Sequence, residues 1–145
     1  MSDKTYEDTS PGRDYNIQED KHELYKELQE NKESPFAQAE LNEIFVFAAA
    51  YGSRKAGPIP IDGGGRALFG QKTLNEETHW LLRSIAVAEE RTTDVLIDGK
   101  LVKQIVEEYA NGGITELHNK VFGPGDPLIA LSDDVIELSQ GHDME

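Results

Sequence analysis

The sequence contains no cysteine. Disulfide bonds and thiolate metal sites are therefore excluded, and stability must come from packing. No run comes near the roughly 18 apolar residues that a bilayer-spanning helix needs. The opening residues, MSDKTYEDTSPGRDYN, lack the basic start and the apolar stretch of a secretory signal, so a cytoplasmic protein is expected. Positive charge is scarce: 14 Lys and Arg face 28 Asp and Glu, a net of -14. A surface this negative repels nucleic acid and acidic membranes as a whole. It serves solubility, it suits docking onto a basic partner, and in its sharpest form it would mimic DNA. Apolar residues make up 37% of the 145, enough for one modest core and not for two.

The polar stretch 1–16 shows no recurring apolar spacing and is expected to be a disordered tail. Leu24, Tyr25 and Leu28 then predict a helix from Glu19 to about Asn31. Ser34-Pro35 reads as a helix start, and the run Ile44 to Tyr51 is apolar all round, so Pro35–Tyr51 is expected to be the most buried helix, ended by Gly52. Residues 52–72 hold six of the 13 glycines and two of the six prolines, which excludes a regular helix there. Ile59 and Ile61 suggest a short extended piece. Thr73-Leu74-Asn75-Glu76 matches a capping box opening a helix to about Glu90. Asp94–Ile97 reads as a strand fragment or a packed link. A helix from Lys100 to Ala110 is expected to stop at Asn111-Gly112-Gly113, with a short helix over Ile114–Val121. Asp126-Pro127 would restart a last helix with Leu128, Leu131, Val135 and Leu138 available for packing. The expected fold is all-α, a compact bundle of five or six helices over residues 17–140, with a loose end at 141–145.

Groupings that would carry chemistry are missing. Two Glu-x-x-His pairs, Glu19 with His22 and Glu76 with His79, have the spacing of di-iron helices. Both lie at helix beginnings without the two further inward glutamates such a site needs. No metal, cofactor or catalytic residue is therefore expected. No serine sits in a Gly-x-Ser-x-Gly turn. His118, on the side of Ile114 and Val121, reads as a core-edge histidine. The adjacent acids Glu107-Glu108 and Asp133-Asp134 read as solvated surface.

One segment departs from the background. Residues 53–72 carry Arg54, Lys55, Arg66 and Lys72 against a single acid, Asp62, a local charge of +3. Gly63-Gly64-Gly65 beside Arg66 could turn several amides toward one anion, although the phosphate-binding pattern with its Lys-Ser/Thr ending is absent. The bland reading is a flexible connection between two helices. The sharper reading makes Arg54, Lys55, Gly63, Gly64, Gly65, Arg66 and Lys72 a binding site for phosphate or an acidic partner.

Several phrases together carry a resemblance: Tyr25-Lys26-Glu27-Leu28, Ile44 to Gly52, Ile85-Ala86-Val87-Ala88-Glu89, Glu107-Glu108-Tyr109-Ala110-Asn111-Gly112-Gly113 and Gly125-Asp126-Pro127-Leu128. Over Ile17 to Leu138 the chain resembles the small accessory proteins encoded beside DNA phosphorothioation systems, the Dnd system-associated proteins of the fourth type. The resemblance implies a setting in phage defence and restriction, and supplies no active-site residue. It implies an accessory or adaptor protein working through protein partners of a restriction complex, without a membrane. The alternatives are a helical DNA-contacting or regulatory domain using the basic loop, and an acidic DNA-mimic inhibitor.

Overall fold

Tyr15-Asn16-Ile17 is a single polar-apolar alternation, and in the computed structural model, which describes residues 12–124, it becomes a strand. Strand β1 (Asp14–Gln18) buries Tyr15 and Ile17 on one face. It pairs antiparallel with β2 (Gly65–Gly70) in a two-stranded sheet. Tyr15 sits opposite Phe69 and Asn16 opposite Ala67, so Leu68 is an extra residue bulged out of the ladder. The expectation of an all-α fold is thus corrected. Residues 14–16 belong to the fold rather than to a tail, and the rest of that expected tail, 1–11, lies outside the described residues. The strand escaped the sequence reading because two apolar residues make too short a pattern, and its partner lies some 50 positions away.

Four α-helices follow among the described residues, not five or six: α1 (His22–Glu30), α2 (Leu41–Tyr51), α3 (Glu76–Glu90) and α4 (Gly99–Phe122). Short 3-10 turns lead into α1 and α3, and another, Thr93–Ile97, occupies the expected strand fragment or link before α4. The expected last helix at Asp126-Pro127 and the loose end at 141–145 lie outside the described residues. No described helix is long and apolar enough to cross a membrane.

Two helix starts lie later than the sequence suggests. Ser34 does not open α2; its hydroxyl accepts a bond from the Phe36 amide in a local turn, and the side chain is buried. The cap is instead Glu40, in a reciprocal box with Glu43. A glutamate does what serine usually does because its carboxylate also reaches the free amides of the first turn. Similarly, α3 is capped by Asn75, which accepts from the Thr78 amide at 2.8 Å, whereas the Thr73 hydroxyl donates to the Gly70 carbonyl.

The largest departure concerns Gly112 and Gly113. They do not stop a helix; they lie inside the 24-residue α4. Glycine within a helix is unfavourable by roughly 0.5–1 kcal/mol relative to alanine, so packing must offset it. A side chain added at Gly113 would overlap the Ala48 carbonyl oxygen of α2 and lie 2.8 Å from the Gly52 amide nitrogen. One added at Gly52 would overlap the Tyr109 carbonyl oxygen, and one at Gly112 the Gly57 carbonyl oxygen. The backbones of α2 and α4 therefore touch, with Ala48 and Gly52 on one side and Tyr109 and Gly113 on the other, each pair one turn apart. Gly52 likewise fails to end its helix. The chain widens there into a five-residue π turn (Gly52–Ala56) closed by a Gly57-to-Gly52 bond of 2.8 Å, and stops at Gly57, whose φ of +91° suits glycine.

The core fills in around this crossing. Tyr25 and Leu28 of α1, Ile44, Phe45, Ala48 and Ala49 of α2, Leu82, Ile85 and Ala86 of α3, and Val106, Ile114 and Leu117 of α4 are buried. Phe45 packs between Tyr15 and Phe69, at centroid distances of 5.0 and 5.2 Å, and so joins the helices to the sheet.

Two substitutions check this arrangement by thermal or denaturant unfolding. Phe45→Ala should destabilise by about 3–5 kcal/mol, the usual cost of emptying a fully buried aromatic site. Gly113→Ala decides by its sign. At an open helix position it would stabilise by up to about 1 kcal/mol, but against the Ala48 carbonyl it should destabilise by about 1–3 kcal/mol or more. A stabilised Gly113→Ala protein would mean that α2 and α4 do not touch there.

Candidate interaction site

The phrase Glu107 to Gly113 turns out to organise the molecule, and it also settles where the basic segment goes. Glu107 is buried, not solvated: Oε2 accepts from the Asn16 amide at 2.7 Å and from Asn16 Nδ2 at 3.3 Å, and pairs with Lys103 Nζ at 2.9 Å. A carboxylate taken out of water needs such partners, and here they pin β1 to α4. Asn111 donates from Nδ2 to the carbonyls of Ile59 and Pro60 and to Gln18 Oε1. The Ile59 amide donates to the Glu108 carbonyl, and the Asp62 amide to Gln18 Oε1. The expected short extended piece around Ile59 and Ile61 forms no strand and is tied along α4 instead. The glycine-rich segment is thus a docked strap with β2 after it, where the sequence suggested a flexible connection. The other adjacent acids, Asp133-Asp134, lie outside the described residues.

The seven candidate binding residues spread over several elements. Arg54 and Lys55 stand on the π turn that extends α2. Gly63 and Gly64, both with positive φ, bring the chain into β2, and Gly65 begins that strand against Asn16. Arg66, on β2, is bound to Glu19 at 3.0 Å. Lys72 is exposed on the turn before α3. Arg66 is therefore already engaged, and Gly63, Gly64 and Gly65 serve the turn and the strand start. Arg54 borders a concave surface.

That surface is a cleft of about 510 Å³ between α2, α3 and α4. Its walls are Phe47, Ala50 and Tyr51 from α2 and Leu81, Ile85 and Ala88 from α3, with Arg54, Glu89 and Tyr109 at one end. A second depression of about 290 Å³, lined by Asn42, Val46, Leu74 and Thr78, shares Phe47, Ala50 and Leu81 with it. The two form one groove. Asn42 and Val46 face Leu74 and Thr78, while Ala50 and Arg54 face Ile85 and Ala88, so α2 and α3 run in the same direction along it. The Asn42 Nδ2 bond to Thr73 Oγ1, 3.3 Å, fastens the two helix starts together. Leu81 is 45% exposed in the groove floor, and beside it Trp80 is 52% exposed with the Arg83 guanidinium 4.8 Å over its ring.

The groove was not legible in the sequence. Leu81, Ile85 and Ala88 have the spacing of a core-facing stripe, and only the position of α2 decides that Leu81 stays partly open. His118, by contrast, is where its spacing put it, at the core edge, with Nε2 2.6 Å from Glu27 Oε1 and its ring against Phe122. The two Glu-x-x-His pairs part company: Glu19 binds Arg66, and His79 Nε2 lies 3.1 Å from the Gln71 carbonyl. Among the described residues no three acids or histidines gather as metal ligands would.

Residues 15–142 match the pattern of a family described as DNA sulphur modification system-associated protein 4. No curated protein and no solved structure gives a match.

The hydroxyl of Tyr109 donates to Glu89 at the end of the groove. Burial, with that bond and the nearby carboxylate charge, pushes the Tyr109 phenol up from 10.0 to about 12. Burial and then the charge of Glu107 push Tyr15 equally far. A raised phenol favours the neutral, folded form. The stability it contributes is present below pH 10 and is lost as the pH climbs from about 10 to about 12. Subtracting the tyrosinate titration of Tyr109→Phe from that of the parent should leave a midpoint of about 12. A midpoint of 10 would place Tyr109 in open water, free of Glu89.

Proposed function

The chain belongs to the family of DNA sulphur modification system-associated protein 4, and on that premise we propose that it is a non-catalytic accessory protein that works through protein contacts in phosphorothioation-linked restriction. The observation that carries the proposal is the extent of the family match, residues 15–142, which takes in nearly everything described of the fold. The most distinctive family phrase, Glu107 to Gly113, is occupied with holding the fold together. What then faces outward is an apolar groove and a strongly acidic surface, a combination suited to a protein partner in the cytoplasm.

Direct contact with DNA is the weaker reading. It needs a gathered set of free cations, and Arg54, Lys55, Arg66 and Lys72 stand on three separate elements with Arg66 neutralised by Glu19. A net charge of -14 opposes it further.

Co-expression of the tagged chain with the modification and restriction components of a DNA sulphur modification system tests the proposal. The expected result is stable co-elution with at least one component, and no shift of duplex DNA by the chain alone at low salt. Elution apart from every component would contradict the proposal. So would a DNA shift that weakens steeply as salt rises, which would restore the DNA-contacting reading.

A further inference from the structure

The groove between α2 and α3 has a length and a charge polarity that restrict what can lie in it. From Asn42 to Arg54 is 12 residues, which at a rise of 1.5 Å each makes the groove about 18 Å long, room for about three turns of a partner helix. Its middle is apolar, through Val46, Phe47, Ala50, Leu81 and Ile85, with Asn42 and Thr78 toward one end and Ser53 and Ser84 toward the other. Because α2 and α3 are parallel, both helix starts fall at the same end. Exposed Glu40, Glu43, Glu76 and Glu77 gather on those first turns. The partial positive charge of two helix N-termini, at about half a charge each, and the exposed Lys72 on the turn before α3 together offset only part of four carboxylates. One end of the groove is therefore anionic, and the other carries Arg54, which pairs with no described acid, beside Glu89 already bonded to Tyr109.

We propose that this groove is the docking site for an amphipathic helix of a partner protein, whose apolar face covers Leu81 and whose Lys- or Arg-rich end lies beside Glu40, Glu43, Glu76 and Glu77. The proposal deepens the accessory role, on which it rests for the existence of a partner. Charge selects the occupant. The chain's own residues 126–140, outside the described part, alternate apolar and acidic residues and contain no Lys or Arg. They would bring Asp126, Asp133, Asp134 and Glu137 toward an acidic rim. A second copy brings a net charge of -14 against -14. A basic helix gains at the point where both of these lose, and the apolar floor supplies the affinity that surface charge alone does not.

The single tryptophan, Trp80, sits beside Leu81 and reports binding without a label. Two synthetic helical peptides of 14 residues serve as probes, with the same leucine-lined face but three lysines at one end of the first and three glutamates there in the second. A third peptide copies residues 126–140. The lysine peptide should change the Trp80 emission and bind at least tenfold more tightly than either acidic peptide, and should weaken as salt rises. Leu81→Lys, at an exposed position that leaves the fold intact by circular dichroism, should abolish binding. Glu76→Lys with Glu77→Lys should erase the preference while the apolar contact remains.

Equal affinity for the three peptides would overturn the proposal. So would tighter binding of the 126–140 peptide, self-association that Leu81→Lys abolishes, or no binding of the lysine peptide up to about 1 mM. Co-elution from co-expressed modification and restriction components separates the groove assignment from the accessory role. If the parent co-elutes with a component and Leu81→Lys does so equally, the groove assignment fails and the accessory role stands. If the parent co-elutes with none yet binds the lysine peptide selectively, the accessory role fails and the groove stands.

Discussion

Everything in this fold is arranged around a place where two helices meet without side chains between them. Gly113 of α4 admits the carbonyl of Ala48, and Gly52 admits the carbonyl of Tyr109. Close packing of this kind trades conformational freedom for contact. Three glycines lose backbone entropy on entering helices, and the cost is offset by the buried cluster that includes Ala48, Ala49, Val106 and Ala110. With the backbones that near, a methyl group has nowhere to go. The crossing therefore fixes the distance and the register of α2 on α4 with little tolerance.

The residues that flank the glycines inherit that precision. Glu107 and Asn111 lie on the same stretch of α4, and both reach polar atoms from far away in sequence: Asn16 in β1, and the Ile59 and Pro60 carbonyls in the strap. Lys21, held partly out of water, donates to the Asn111 carbonyl at 3.0 Å, and its burial lowers its pKa. The seven-residue phrase thus gathers the strand, the strap and α2 onto one helix. The groove is the outer consequence. With α2 set hard against α4, Phe47 and Ala50 on its other side line the space left between it and α3, beside Leu81.

How much of this could be read from the residues depends on the range of the signal. The helical class, the burial of Phe45 and Ile44, and the edge position of His118 follow from local spacing, and local spacing is what a sequence displays. The π turn, the continuous α4 and the buried Glu107 do not follow. Each depends on an element some 50 or 90 positions away. Asn-Gly-Gly is an ordinary helix stop wherever nothing packs against it, and two adjacent glutamates are ordinary surface wherever no backbone amide comes to one of them. The cationic residues of the glycine-rich segment were visible as a charge excess, but composition cannot say that Arg66 finds Glu19 or that Arg54 alone reaches the groove. The groove residues themselves carry no distinguishing chemistry and are recognised only by the space between two helices.

The α2–α4 contact is the cause and the groove its result. Proton NMR of the parent protein tests that cause most directly. Cross-peaks between the α-protons of Gly113 and the amide proton of Gly52, together with an unbroken helical pattern of sequential contacts from Ala110 to Ile114, are expected. A break in that pattern at Asn111–Gly113, with no cross-peak to Gly52, would restore two short helices in place of α4 and remove the basis for the groove.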